Sequence, residues 1–254
     1  MATERVEGLA GRIALITGAS SGIGRATALK LARGGAAVAL VARRKDRLRE
    51  VREDVEKAGG QALAIPADVT RRQEVEEAVE RTLESYGGVD ILVNNAGIMP
   101  LSSLAELRVE DWEAMVDLNI KGVLYGIAAV LPHMLARKQG HIVNVGSVAG
   151  RRPFKTGVVY SATKYAVRAL SAGIHLELSA TDGIRVTDIE PGVVDTELSS
   201  HIPAPEARET FAQRWEGKRM LTSEDVAQAI AYAVSAPDRV NVNEILLRPT
   251  DQPT

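Results

Sequence analysis

The chain has 254 residues and a formal net charge of −2, with 45% hydrophobic and 25% charged residues. That length buries a large core, and the near-balanced charge gives no bias towards nucleic acid or anionic membranes. There is no cysteine, which excludes disulfides, thiolate nucleophiles and cysteine-ligated zinc, and the four histidines have no metal-ligand spacing.

The N-terminal MATERVEGLAGR puts charges and glycines where a signal peptide needs an apolar core. No apolar run approaches the length of a membrane span. The expectation is a soluble, cytoplasmic protein.

In chain order, short apolar runs alternate with helical patterns. RIALIT (12–17) is a strand stopped by Gly18, and residues 23–33 have helical spacing up to Gly34 and Gly35. AAVALVA (36–42) is a second strand. Residues 45–58 form a charged amphipathic helix with Leu48, Val51 and Val55 on one face. ALAIPA (62–67) leads to a helix around Val75, Val79 and Leu83, and DILVN (90–94) is the fourth strand. A long helical pattern over 109–135 precedes HIVNVG (141–146). A helix over 161–179, the strand IRVTDIE (184–190), a helix over 223–235 and the strand EILLR (244–248) complete the series.

This alternation predicts right-handed βαβ crossovers: one doubly wound α/β Rossmann domain over 1–254, with a mainly parallel seven-stranded sheet covered on both faces. Residues 194–218, with Pro203, Pro205, Phe211 and Trp215, break the regularity as a packed surface insertion or as a lid over a ligand.

Between the first strand and first helix lies TGASSGIG (17–24). Gly18, Gly22 and Gly24 allow a tight turn and close approach of a diphosphate, which the following helix meets with free N–H groups and its positive dipole end. The same turn also suits a fold that binds nothing. The second strand ends in Ala42, Arg43 and Arg44, where an NAD-preferring fold usually carries an acid for the ribose 2′-OH. A guanidinium matches a 2′-phosphate bidentately, which favours NADP, although the same arginines also suit the start of a solvated helix. Tyr160 and Lys164 are four apart, one turn of one helix face, and Ser147 follows the fifth strand. A fixed ammonium makes a phenol a usable acid or base, although a Tyr and a Lys at this spacing also suit an ordinary pair on a helix surface.

TGASSGIG, Asp68, NNAG (94–97), Asn119, Ser147, YSATK (160–164) and Pro191-Gly192 stand in order over nearly the whole chain. Together they resemble the short-chain dehydrogenase/reductase family. The C-terminal NEILLRPTDQ, the arginines after the second strand and EPGVVDTEL (190–198) resemble more narrowly a subgroup of NADP-dependent 3-hydroxy acid (serine-type) dehydrogenases and clavulanic acid dehydrogenase.

The resemblance implies a catalytic set of Asn119, Ser147, Tyr160 and Lys164. It implies NADP(H) contacts from Gly18, Ser20, Ser21, Gly22, Ile23, Gly24, Arg43 and Arg44. Asp68 and Val69 are implied at the adenine, and Asn95, Ala96 and Gly97 beside the adenine ribose. Tyr160 and Lys164 face the nicotinamide ribose, and Pro191, Gly192, Val194 and Thr196 the nicotinamide. Asn94 is expected to brace the sheet, and Asn119 to disturb its helix and hold a water leading to Lys164. No metal is implied.

The expected reaction is hydride transfer between NADP(H) and an aldehyde, ketone or the matching alcohol, with Tyr160 as proton donor and acceptor. The apolar lining expected from Ile98, Met99, residues 148–154 and residues 196–215 suits a medium-sized carbonyl compound. A small 3-hydroxy acid is the alternative, with Arg151, Arg152 or His201 on its carboxylate; a non-catalytic NADP-binding regulator is the remoter one. Small residues along 162–173 and 122–129 are expected to form helix contacts of a homodimer within a homotetramer.

Overall fold

The apolar runs become seven strands in the computed structural model, which describes residues 8–252. They are β1 (Ile13–Thr17), β2 (Ala37–Ala42), β3 (Gln61–Pro66), β4 (Ile91–Asn94), β5 (Gly140–Val145), β6 (Ile184–Pro191) and β7 (Glu244–Leu247). The helices are α1 (Gly22–Arg33), α2 (Lys45–Lys57), α3 (Arg72–Tyr86), α4 (Val109–Val116), α5 (Gly122–Arg137), α6 (Val158–Asp182), α7 (Pro205–Trp215) and α8 (Ser223–Ser235).

Every pairing between these strands is parallel, in the order β3-β2-β1-β4-β5-β6-β7. The order reverses between β1 and β4, and ligands of such sheets bind outside the strand C-termini at that switch. Successive strand residues point to opposite faces. Ile16, Val38 and Leu40 therefore pack in one core with Leu31, Leu48 and Ile230, whereas Leu15, Ala39 and Val41 pack in the other with Val130, Met134 and Ile142. A third cluster, of Met99, Leu101, Met115, Tyr160, Ile202 and Ala207, lies beyond the strand ends.

Three features bear on the site. The helical pattern over 109–135 is interrupted by a π turn over Asp117–Lys121, which carries Asn119, the residue at which the family resemblance implies a disturbed helix. Taken as one run, Val109–Arg137 contains an 18-residue window of mean hydropathy 1.5 and is long and apolar enough, by length and composition, to cross a membrane. That corrects the expectation that no run approaches a span; here Val123, Ile127, Val130 and Met134 spend its apolar face on the sheet.

The second feature is α6, which starts three residues before the expected 161 and runs to Asp182, where Gly183 in the left-handed region stops it. Tyr160 is therefore inside the helix and rigidly placed. The third lies within 194–218, where a 3-10 turn (Ser199–His201) and α7 bury Ile202, Ala204 and Ala207 in the third cluster.

Candidate active site

The turn after β1 is built by close packing against β4. Gly18 has φ +65, and a Cβ there would lie 2.8 Å from Asn95 Nδ2, while one at Gly24 would overlap the Gly18 carbonyl. Asn95 Nδ2 donates to the Thr17 carbonyl at 2.9 Å, and the Thr17 hydroxyl accepts from the Asn95 and Ala96 N–H groups at 3.0 and 3.1 Å. The Asn95 side chain thus shapes the turn. Thr17, unmarked in the sequence, ties the ends of β1 and β4 together. Asn94 bridges β4 to β5 through Asn144 at 2.9 Å.

Two residues beyond β2, at the start of α2, Arg44 reaches back over this turn. It donates to Ser20 Oγ at 3.1 Å, Ser21 Oγ at 2.6 Å and Glu197 at 2.9 Å. Arg43 lines the same cleft beside Asp68. Burial pushes the Asp68 carboxyl up, but the Thr70 N–H and hydroxyl and the Arg43 charge outweigh it and hold it below its usual range. Those Thr70 bonds, at 3.0 and 2.8 Å, show Asp68 also serving as a local cap.

At the other end, Ser147 closes β5 and its Oγ accepts from the Ala149 N–H at 3.1 Å. Tyr160 is buried, with the Phe154 ring edge-on at 6.5 Å. Lys164 Nζ lies 5.8 Å from the Tyr160 ring centre and donates to the Val145 carbonyl at 2.8 Å. Burial pushes the Tyr160 phenol up to about 12, with the Ser147 hydroxyl pulling the other way. Burial lowers the Lys164 ammonium to about 8, opposed by the Asp188 carboxylate. Asn119 lies behind this group. It holds the Ile98 backbone at both N–H and carbonyl, at 2.9 and 3.0 Å, and donates to Thr163 Oγ1 at 3.1 Å. No direct Asn119–Lys164 hydrogen bond occurs among the described residues.

One cleft of about 800 Å³ joins the two ends. Gly18, Ser20, Ser21, Gly22, Ile23, Arg43, Arg44, Asp68 and Val69 line one half. Ala96, Gly97, Ser147, Tyr160, Lys164, Pro191, Gly192, Val194 and Thr196 line the other, with Asn95 between. Gly24 and Asn119 sit behind the lining. Arg152 and His201 face the cleft, whereas Arg151 is held by Glu190 and Glu244 and is spent. Among the described residues no His, Cys, Asp and Glu group is placed to hold a metal ion.

The cleft fits a dinucleotide by its donor set: a glycine cradle that Cβ atoms would fill, then a guanidinium grouped with two hydroxyls, then an ammonium and a phenol at the far end. A family model described as short chain dehydrogenase matches residues 12–207. The chain belongs to that family. It is an oxidoreductase of the short-chain type. An uncharacterized oxidoreductase of Listeria monocytogenes is 44% identical over 244 residues, 95% of this chain and 98% of the relative. The closed form of a serine dehydrogenase complexed with NADP+ superposes with a TM-score of 0.88 at 36% identity, covering 95% and 96% of the two chains. A short-chain dehydrogenase/reductase from Burkholderia phymatum in complex with NAD gives 0.86 at 27% identity, covering 94% and 89%.

Proposed function

We propose that this chain is an NADP(H)-dependent oxidoreductase that interconverts an aldehyde or ketone with its alcohol, and that Tyr160 carries the proton. The observation that carries the reading is the single cleft with Ser147, Tyr160 and Lys164 at one end and Arg44 with Ser20 and Ser21 at the other.

When bound, the dinucleotide supplies hydride exchange and, in its oxidised form, a positive charge beside the phenol. Tyr160 Oη donates its proton to the carbonyl oxygen and takes it back in the reverse direction. The Ser147 hydroxyl donates to the same oxygen and fixes its position. In the chain alone burial keeps Tyr160 a phenol, pushed up to about 12. The Lys164 ammonium opposes that by favouring phenolate. Asn119 holds the Ile98 backbone beside Gly97, where a Cβ would lie 3.3 Å from Asn119 Oδ1 and 3.9 Å from Lys164 Nζ, and a water between Asn119 and Lys164 would return the proton.

Arg44 is the group we assign to a 2′-phosphate, supported by its cluster of hydroxyl partners and by the NADP+-bound relative. The NAD-bound relative makes a two-cofactor assay necessary. Residues 194–218 roof the substrate end, whose lining of Met99, Leu101, Phe154 and Phe211 favours an apolar carbonyl compound. A small 3-hydroxy acid is the second reading, favoured by Arg152 and His201 at the cleft and by the serine dehydrogenase likeness. A screen of NADPH and NADH consumption across aldehydes and ketones, with hydroxy acids in the oxidative direction, tests all of this. No turnover with any class would leave only a binding protein.

The reading includes a cytoplasmic location and a homotetramer, the assembly supported by the exposed Leu124 on α5 and Leu176 on α6. A monomer by light scattering would overturn the assembly.

A further inference from the structure

Two carboxylates, Asp188 and Glu190, lie two residues apart on β6 and are fully buried. The register pairs Asp188 with Asn144 of β5, so both side chains project from the same face. Asn144 Nδ2 donates to Ser171 Oγ on α6, which identifies that face as the one beneath α6. Gly146, two residues beyond Asn144, shares it, and a Cβ there would overlap Asp188 Oδ1. The carboxylate therefore occupies the space that glycine leaves open, next to the Val145 carbonyl that holds Lys164 Nζ.

The charges around it divide unevenly. Arg151 pairs with Glu190 and Glu244, and so does Arg168, one turn along α6 from Lys164. Two guanidinium groups thus balance two carboxylates. Among the described residues Asp188 has no hydrogen bond at either oxygen, and Lys164, over the same buried face, has no acidic partner within 4 Å. An ion buried in apolar surroundings is costly unless an opposite charge lies near.

We propose that Asp188 is a positioning residue of the acid–base centre, whose carboxylate is the counter-charge that keeps Lys164 an ammonium beside Tyr160. The inference rests on the functional reading above. The pair acts through space or through a water. Burial raises the Asp188 carboxyl to about 7, with Glu190 and Glu244 adding and Lys164 and Arg151 opposing. Aspartate and lysine then titrate as one coupled unit around neutral pH.

The test is an NMR titration of the full chain, with and without NADP+, following lysine 13Cε and aspartate 13Cγ signals from pH 5 to 9. In the wild type Lys164 should show an inflection where Asp188 ionises. In Asp188→Asn the Lys164 midpoint should fall by on the order of one pH unit. The acid limb of kcat for alcohol oxidation should move up, because a lysine with less charge stabilises phenolate less. NADP+ affinity should stay within two-fold. An unmoved or raised Lys164 midpoint in Asp188→Asn overturns the proposal. So does an Asp188 signal that stays at its protonated position throughout, a measurement that needs no variant to fold. Wild-type protein without turnover but with the coupled titration would sink the enzyme reading alone. Turnover with an uncoupled Lys164 would sink this inference alone.

Discussion

Arg44, at the start of α2, holds Glu197 across the mouth of the cleft at 2.9 Å. The two belong to opposite halves of the site, since Glu197 follows β6, at whose end Pro191 and Gly192 line the half away from Arg44. The carboxylate sits where the assigned guanidinium would otherwise meet an anionic ligand. Side-chain hydrogen bonding from Arg44 holds Glu197 below its usual range.

On the proposed reading, Glu197 competes with a 2′-phosphate for Arg44. In Glu197→Gln, NADP+ should bind up to about five-fold more tightly, the scale of an exposed ion pair worth at most about 1 kcal/mol. NAD+ binding should not change. Arg44→Ala should act in the opposite sense, weakening NADP+ against NAD+ by about ten- to a hundred-fold, the value of a charged hydrogen-bonding group. Titration of both cofactors by intrinsic fluorescence checks the pair; equal losses for NAD+ and NADP+ would remove Arg44 from the phosphate.

Asn119 is expected to matter for stability as well as for activity. It satisfies two Ile98 backbone groups and Thr163 inside a π turn. Asn119→Ala should cost about 1–3 kcal/mol for each group left unpaired. By calorimetry each kcal/mol lowers Tm by about 2–4 °C in a chain of this size. A variant with unchanged Tm would mean that water replaces the amide without cost.

The substrate end makes its own prediction. Phe154 stands edge-on to Tyr160 and belongs to the apolar cluster under 194–218. Phe154→Ala should raise KM for apolar carbonyl compounds on the order of ten-fold, from lost contact area, with kcat on small substrates little changed. A KM unchanged for bulky and small substrates alike would place the substrate elsewhere in the cleft.

His141 makes stability pH-dependent. It is buried, with Nε2 2.8 Å from Thr187 Oγ1, and burial lowers it to about 3, with Arg185 and Arg12 adding. Its folded value lies below its ordinary 6.5, so the unfolded chain takes up the proton first. The contribution is complete above pH 6.5 and is lost as pH falls towards 3. Urea midpoints should drop by the equivalent of on the order of 3 kcal/mol between pH 6.5 and 4. A flat profile over that window would mean that His141 charges in the folded state.

The fold was largely legible in the sequence because the central strands β1, β2, β4 and β5 are buried on both faces and read as mainly apolar runs. The cradle and the Tyr160–Lys164 pair were legible for a similar reason, since spacing on a turn or helix is a local property. The helix disturbance at Asn119 was implied only by the family resemblance, because the π turn depends on bonds to Ile98 and Thr163, far away in the chain. Two features were not legible. Arg151 looked free for a substrate but is taken by Glu190 and Glu244, residues that only the register of β6 and β7 brings to it. The roles of Thr17 and Glu197 likewise arise from contacts between distant segments, leaving no local pattern to read.

The central claim is that Tyr160 moves the proton while the rest of the cleft binds the cofactor. Tyr160→Phe removes one hydroxyl from a site where the ring itself stays packed against Phe154. The most direct measurement is turnover on the best carbonyl substrate beside NADPH binding by fluorescence, in the wild type and in this variant. The account predicts turnover reduced by at least about a thousand-fold, within the range of a lost general acid, with the NADPH dissociation constant within about two-fold. Retained turnover would contradict it, whatever the binding result.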